Sequence, residues 1–200
     1  MKKLLICLAA TAAVCSAQAQ SGDFTGFSAG ANMAMNAGSY SQAVGTARID
    51  GLGQQSLGVG GFAAYGLPIG SASVLTLGFD YSFLDIKAGE IKTTTSSASA
   101  KIQNLWSVSV APGTKLTDKT LAYFKLGFEN GKAVGSSTTE VSKNITGNSW
   151  GVGMKTLFNK NTFLQVEVKQ VTFGSARFDG DTVDFTARGT AGSVGVGFMF

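Results

Sequence analysis

The chain has 200 residues, 16 Lys+Arg against 12 Asp+Glu, 27 glycines, two prolines, two cysteines and no histidine. Charged residues make up only 14%, well below the roughly 25–35% that covers a soluble surface. The lack of histidine removes the usual base of hydrolytic and acyl-transfer sites.

The first segment reads as an export signal. Lys2 and Lys3 are a positive start, Leu4 to Val14 an apolar run, and Ala17-Gln18-Ala19 supplies small residues at the spacing of signal-peptidase cleavage. Residues 1–19 are therefore expected to be removed, leaving 20–200 as one domain. A lipid anchor on Cys15 is disfavoured because Val14 stands where a small residue is expected. The apolar run also falls short of the roughly 20 residues of a helical bilayer span. Cys7 and Cys15 both lie in the signal, so the exported chain builds no disulfides. With neither Cys nor His in it, ordinary zinc and copper sites are excluded and no cofactor is expected. Cleavage takes two of the 16 basic residues and none of the 12 acidic ones, leaving 14 against 12, a net of +2. Such balance gives no case for nucleic-acid binding.

Eight segments then alternate with period two, which predicts strands with one apolar face. The first spans about Phe24 to Met35, with Phe27, Ala29, Ala31, Met33 and Met35 on one face. Leu57, Val59, Ala63 and Tyr65 mark the second, with Phe62 on the opposite face. In the third, Leu75, Leu77, Phe79, Tyr81 and Phe83 alternate with Thr76, Gly78, Asp80 and Ser82. The fourth sets Ile102, Trp106, Val108 and Val110 against Gln103, Ser107 and Ser109. The fifth sets Ala122, Phe124, Leu126 and Phe128 against Tyr123, Lys125, Gly127 and Glu129. Trp150, Val152 and Met154 face away from Gly151, Gly153 and Lys155 in the sixth, and Leu164, Val166 and Val168 face away from Gln165, Glu167 and Lys169 in the seventh. The eighth ends the chain, with Val194, Val196, Phe198 and Phe200 alternating with Ser193, Gly195, Gly197 and Met199.

The links alternate long and short. Ala37–Gln55, Asp85–Ala100, Asn130–Asn148 and Gly174–Ala187 are long and rich in Ser, Thr, Gly and Asn (Thr93 to Ser97, for example), which reads as mobile loop. Gly66–Ser73, Pro112–Thr120 and Phe158–Asn161 are short. No run of 18 apolar residues follows residue 19, so helical spans are excluded. An even number of strands with short turns on one side and long loops on the other fits a barrel crossing an outer membrane, both termini on the periplasmic side. A soluble lipocalin-like barrel or a sandwich would show the same alternation turned inside out. The aromatic last strand, the charges sharing a phase with glycine, and the low overall charge favour the membrane barrel. The expected fold is all-β: an eight-stranded antiparallel up-and-down transmembrane barrel.

On that reading Asp80, Lys125, Glu129, Lys155, Glu167 and Lys169 line the lumen. An eight-stranded barrel is just wide enough for its side chains, so a polar plug of paired charges is favoured over a narrow ion path. Tyr65, Tyr81, Phe83, Trp106, Trp150, Phe163 and Phe198 are read as interfacial girdles. Lys87, Lys92, Lys101, Lys132 and Arg188 lie near outer strand ends, within reach of lipopolysaccharide phosphates. Asp179, Asp181 and Asp184 beside Arg177 have neither the length nor the final Glu of an EF-hand loop, so they read as solvated loop and no metal site is expected.

Export signal, eight strands, four long loops and an aromatic end together resemble the small outer-membrane β-barrel family, of the OmpA membrane-domain and OmpX type, over essentially the whole exported chain. Ser193, Gly195, Phe198 and Phe200 are similar to the C-terminal signal that such proteins present to the barrel assembly machinery. The resemblance implies a non-enzymatic, monomeric porin-family protein of the Gram-negative cell outer membrane. It would contact outer-membrane lipid and lipopolysaccharide, support the envelope, and meet an extracellular partner through its loops; a pore for ions or small solutes is the alternative. The peptidoglycan-binding part of the OmpA pattern has no counterpart here, so a cell-wall tether is not implied. A barrel that stays folded in cold detergent should migrate differently in boiled and unboiled gels of the outer-membrane fraction; a single mobility would count against it.

Overall fold

The computed structural model describes residues 24–44, 47–92, 97–136, 140–174, 176–177 and 183–200. The signal segment 1–19, Asp179, Asp181 and most of the Thr93–Ser97 stretch lie outside them. Ten strand segments form one antiparallel sheet: β1 (Gly26–Val44), β2 (Ala47–Pro68), β3 (Ser73–Ser82), β4 (Ile86–Lys92), β5 (Ser97–Thr117), β6 (Thr120–Ser136), β7 (Glu140–Leu157), β8 (Thr162–Phe173), β9 (Ala176–Arg177) and β10 (Val183–Met199). β4 resumes β3 after a short break and β9 resumes β8, so these segments make eight staves. Each stave bonds to its sequence neighbour, and β1 pairs with β10 from Ser28↔Met199 to Val44↔Val183, closing the barrel. Closure leaves the sheet without an open edge at membrane depth, as hydrocarbon requires.

Facing follows the alternation. Met33, Leu57, Leu77, Phe79, Leu126, Val152, Val166 and Val196 are exposed on the outside, whereas Ser28, Ser107, Lys125, Glu129, Gln165 and Glu167 are buried inside. Small residues let the staves fill the narrow lumen: a Cβ on Gly197 would meet the Phe163 ring, and one on Gly153 the Tyr123 hydroxyl.

The short turns define one end. Asp118 and Lys119 alone separate β5 from β6. At Phe158–Asn161, Asn159 Oδ1 accepts from the backbone N–H of Asn161 (2.9 Å) and Thr162 (2.7 Å), a side-chain-built turn. Asn161 Nδ2 donates to the Met199 carbonyl at 2.8 Å, and Phe200 N–H donates to the Phe27 carbonyl at 2.9 Å, fastening the last strand to both neighbours.

The structure corrects four expectations. The long links are not open loops: staves continue into them, with β1 reaching Val44, β6 reaching Ser136 and β7 starting at Glu140. Pro112–Thr117, expected as a link, belongs to β5. Ile102 is 6% exposed and packs inside, because a bulge intervenes: β5 advances from Gln103 to Trp106 while β6 goes only from Lys132 to Asn130. That extra residue reverses the facing, and Asn104 there has φ 50, which asparagine tolerates better than most side chains. Finally, Phe163 belongs to no girdle. It is 1% exposed, inside the lumen.

The tight glycine sites give a paired prediction. Gly197→Val should force Phe163 aside, lowering unfolding stability by about 1–3 kcal/mol. Gly192→Ala, whose Cβ would meet nothing within 4 Å, should leave stability unchanged, both read by urea titration of the heat-modifiable band.

Candidate functional site

The lumen is layered. At the short-turn end Phe24, Phe62, Val74, Leu121, Leu157, Phe163 and Met199 form a buried apolar cluster. At the long-hairpin end a second cluster joins Ile102, Ala133, Ile145, Val171, Phe173 and Ala187, with Ile86 and Leu105 packed against it. Charged side chains lie between the two.

β3 supplies Asp80, β6 supplies Tyr123, Lys125 and Glu129, β7 supplies Lys155, and β8 supplies Glu167 and Lys169. Residues two apart on a strand share a face, which is why short runs of β6 and β8 deliver most of the set. Lys125 Nζ is the hub: it donates to Asp80 Oδ2 at 3.0 Å and to both Glu167 oxygens at 3.3 Å. Tyr123 OH donates to Glu167 Oε2 at 2.9 Å, and Ser107 Oγ to Asp80 Oδ2 at 3.4 Å. A second pair, Lys169 Nζ to Glu129 Oε1 at 3.0 Å, lies toward the long hairpins. Lys155 is held differently, its Nζ 5.2 Å from the Phe163 ring centroid and 5.9 Å from that of Tyr123. That contact ties the charged layer to the apolar cluster below.

Three ammonium groups thus meet three carboxylates, and five of the six join in ion pairs with Lys155 on the rings. Tyr123, which shares the phase of Lys125, faces inward as the alternation predicts, although it is not among the expected charges. Phe163 is the member that the girdle reading misses, and its phase with Gln165 and Glu167 is the signal for it. A cavity of about 80 Å³ lies beside the layer, lined by Asn32, Asn36, Glu129 and Lys169 together with apolar residues such as Ile86 and Leu105. Another of about 30 Å³ touches Phe62, Thr76, Lys155 and Gln165. At roughly 10–15 Å³ per water, both have room for solvent to complete the hydrogen bonding.

Outside, two aromatic groups flank the apolar band. Near the long hairpins Trp106 stacks on Phe79 at 6.3 Å and meets Phe128 at 6.4 Å, while Tyr81 and Phe83 lie 5.8 Å apart. Near the short turns Phe200 sits 5.5 Å from Phe27 and 5.2 Å from Phe198, with Tyr65 opposite Phe27 in the ladder. Trp150 is exposed on β7. Of the signal-like residues, Ser193 and Gly195 face the lumen and Phe198 the exterior.

Beyond the aromatics, Lys87 stands opposite Lys101 and Gln103 opposite Lys132. Asp85 Oδ2 accepts from Gln103 Nε2 at 2.9 Å and lies 3.2 Å from Lys101 Nζ. The Gln103 hydrogen bond first, with the hydrogen bond and charge of Lys101 added to it, holds the Asp85 carboxyl below the usual carboxylate range against the opposing effect of burial. Arg188 is exposed on β10, across the barrel from β5, and Lys92 ends β4.

The family profile described as "Outer membrane protein beta-barrel domain" matches residues 6–200. Among solved structures, Neisserial surface protein A is similar at 14% identity, covering 87% of this chain and 97% of that one, with a TM-score of 0.53. The outer membrane protease OmpT from Escherichia coli is similar at 6% identity, 87% and 96% coverage and a TM-score of 0.51. Ail, the attachment invasion locus protein of Yersinia pestis, shows 14% identity, 86% and 98% coverage and a TM-score of 0.49. No protein of curated function matches the chain. At such identities the likeness is one of fold.

Breaking one partner of a buried pair strands the other charge. Lys125→Met leaves Asp80 and Glu167 unpaired and should lower unfolding stability by about 3–5 kcal/mol in urea titrations. Replacing Glu129 and Lys169 together by Leu and Met should cost much less than Glu129→Ala alone, a difference a double-mutant cycle reads directly.

Proposed function

The chain belongs to the family of outer membrane protein β-barrel domains, and from that premise we propose that it is a non-enzymatic barrel serving envelope structure and surface interaction. The observation that carries this reading is the apolar cluster across the short-turn end, where Phe163, Leu121 and Val74 are each 1% exposed. A solute path would have to pass through those side chains, and dry apolar packing resists hydration. The polar layer above it is self-neutralised, which makes it a plug that staples β3, β6, β7 and β8 together.

With the lumen occupied, the surface left for recognition is the set of four long hairpins, which lie outside the cell if the short turns are periplasmic, as is the rule for such barrels. There an extracellular partner would bind. The exterior at membrane depth meets lipid, and the basic residues above it meet lipopolysaccharide. Ser193, Gly195, Phe198 and Phe200 end the closing strand where assembly machinery would engage it. The missing histidine argues against a protease or acyl-transfer role. The competing reading is a narrow pore, which would draw on the small cavities beside the charges.

Purified protein in planar bilayers should give no discrete conductance steps, and cells displaying a barrel whose four hairpins are cut to short turns should keep the heat-shifted band while losing surface binding. Reproducible channel events from pure protein would replace this reading with the pore.

A further inference from the structure

Lys155 is the odd member of the lumenal layer. Lys169 answers Glu129, while Lys125 alone takes up two carboxylates, those of Asp80 and Glu167. Lys155 is left against the rings of Tyr123 and Phe163. The pairing is thus uneven although the charges balance. It becomes even once Lys125 and Asp80 are no longer charged, because Glu167 is then free to answer Lys155. The two line one cavity, and Gln165, the ladder partner of Lys155, lies two residues from Glu167 on the same face.

The surroundings of Lys125 suit such a change. Its Nζ is 3.0 Å from Asp80 Oδ2, and with a C–O bond of about 1.2 Å the Asp80 carbon lies within roughly 4 Å. Reacting atoms held about 3–3.5 Å apart are poised to bond, so a small rotation of either side chain suffices. Glu167 offers both oxygens to Nζ at 3.3 Å and is itself held by Tyr123 OH at 2.9 Å, as suits a carboxylate that takes and returns a proton. Ser107 Oγ steadies Asp80 from the other side at 3.4 Å. The side chains of Lys125 and Glu167 are 9% and 5% exposed. Beside them the cavity of about 30 Å³ has room for a released water. Two charges held in a low-dielectric interior each carry a desolvation cost, and a neutral product relieves both.

We propose that Lys125 and Asp80 become joined by an amide bond once the barrel has closed, with Glu167 as the proton carrier. One ammonium proton passes to the Asp80 carboxylate, neutralising both groups. The freed Nζ lone pair bonds to the Asp80 carbon. Glu167 takes a second Nζ proton and returns it to the Asp80 hydroxyl, whose bond to carbon breaks as water leaves. Ammonium and carboxylate become amide and water, and Glu167 ends as it began. The step occurs once in the life of each molecule, so the neutral pair need only be visited rarely. The link staples β3 to β6 across β5, which stands between them in the sheet.

The test is intact-mass measurement and tryptic mapping of the full barrel extracted from outer membranes. Wild type should weigh one water less than its sequence from the observed N-terminus onward. Trypsin should leave a branched peptide that joins the Asp80 segment to Lys125. Asp80→Ala and Glu167→Gln should each carry their full sequence mass, the second although both partners of the link remain. Lys169→Met, in the neighbouring pair, should still lose the water. Every variant is read in its folded, heat-shifted band. Where Glu167→Gln gives no such band, Tyr123→Phe, which keeps all three groups, should show a larger unlinked fraction than wild type. A folded wild-type barrel at full mass, a linked Glu167→Gln barrel, or Tyr123→Phe linked as fully as wild type would overturn the link. None of these results touches the conductance test, so the sealed-barrel reading stands or falls separately.

Discussion

Hydrocarbon outside and a lumen no wider than its own side chains together determine where every charge at membrane depth must go. An exposed ammonium or carboxylate among acyl chains is strongly unfavourable, and an eight-stave interior leaves no bulk water to solvate one. Charges carried by the spanning strands must therefore point inward and balance one another there. Asp80, Glu129 and Glu167 against Lys125, Lys155 and Lys169 meet that condition. The same confinement explains the glycine content. Where Phe163 or Tyr123 lies in the lumen, its ladder partner on the neighbouring stave is Gly197 or Gly153, with no Cβ to obstruct it.

Layering follows from that balance. A polar network in a low-dielectric interior is favourable only if nearly complete, and completeness is easier when apolar clusters above and below isolate it. Lys155 marks the lower boundary, its ammonium over the rings of Phe163 and Tyr123. Such networks are weak evidence for stability in themselves, since an apolar filling of the same shape can do as well. Their value here lies in register. A slip of one residue would turn Lys125 and Glu167 toward lipid, so the charged layer penalises every misaligned pairing of β6 and β8.

How much was legible in the sequence depended on contrast between the two faces. At membrane depth the outer face must be apolar and the inner one small or polar, so Leu75 to Tyr81 and Ala122 to Glu129 could be assigned residue by residue, and the charged lumenal set with them. Above the bilayer the contrast fades because water bathes the exterior. On β7 the outward residues Ser142, Asn144, Thr146 and Asn148 are as polar as a loop, which is why the hairpin extensions read as irregular. Ile102 failed for another reason: a bulge moves no residue type, only the phase, and a lone Asn at position 104 is a faint sign of it. Phe163 has the aromatic character of a girdle residue, but its parity with Gln165 and Glu167 places it inside.

The wall itself changes character at the membrane surface. Ladder pairing between β2 and β3 ends at Gly60↔Ser82, and between β7 and β8 at Gly147↔Phe173. Beyond those points, among the described residues, the staves continue as two groups: β4 with β5, β6 and β7, and β9 with β10, β1 and β2. In hydrocarbon such a seam would leave backbone groups without partners, which is why closure is complete lower down. In water the same groups are solvated, and the constraint that fixed the lower barrel no longer applies. Charges can then face outward as well, and the first to do so on β5 are Lys101, with Lys87 and Lys132 beside it, immediately past Trp106. The boundary between a wall that must be neutral outside and one that need not be is thus drawn in the residues themselves, and the surface available for recognition begins there.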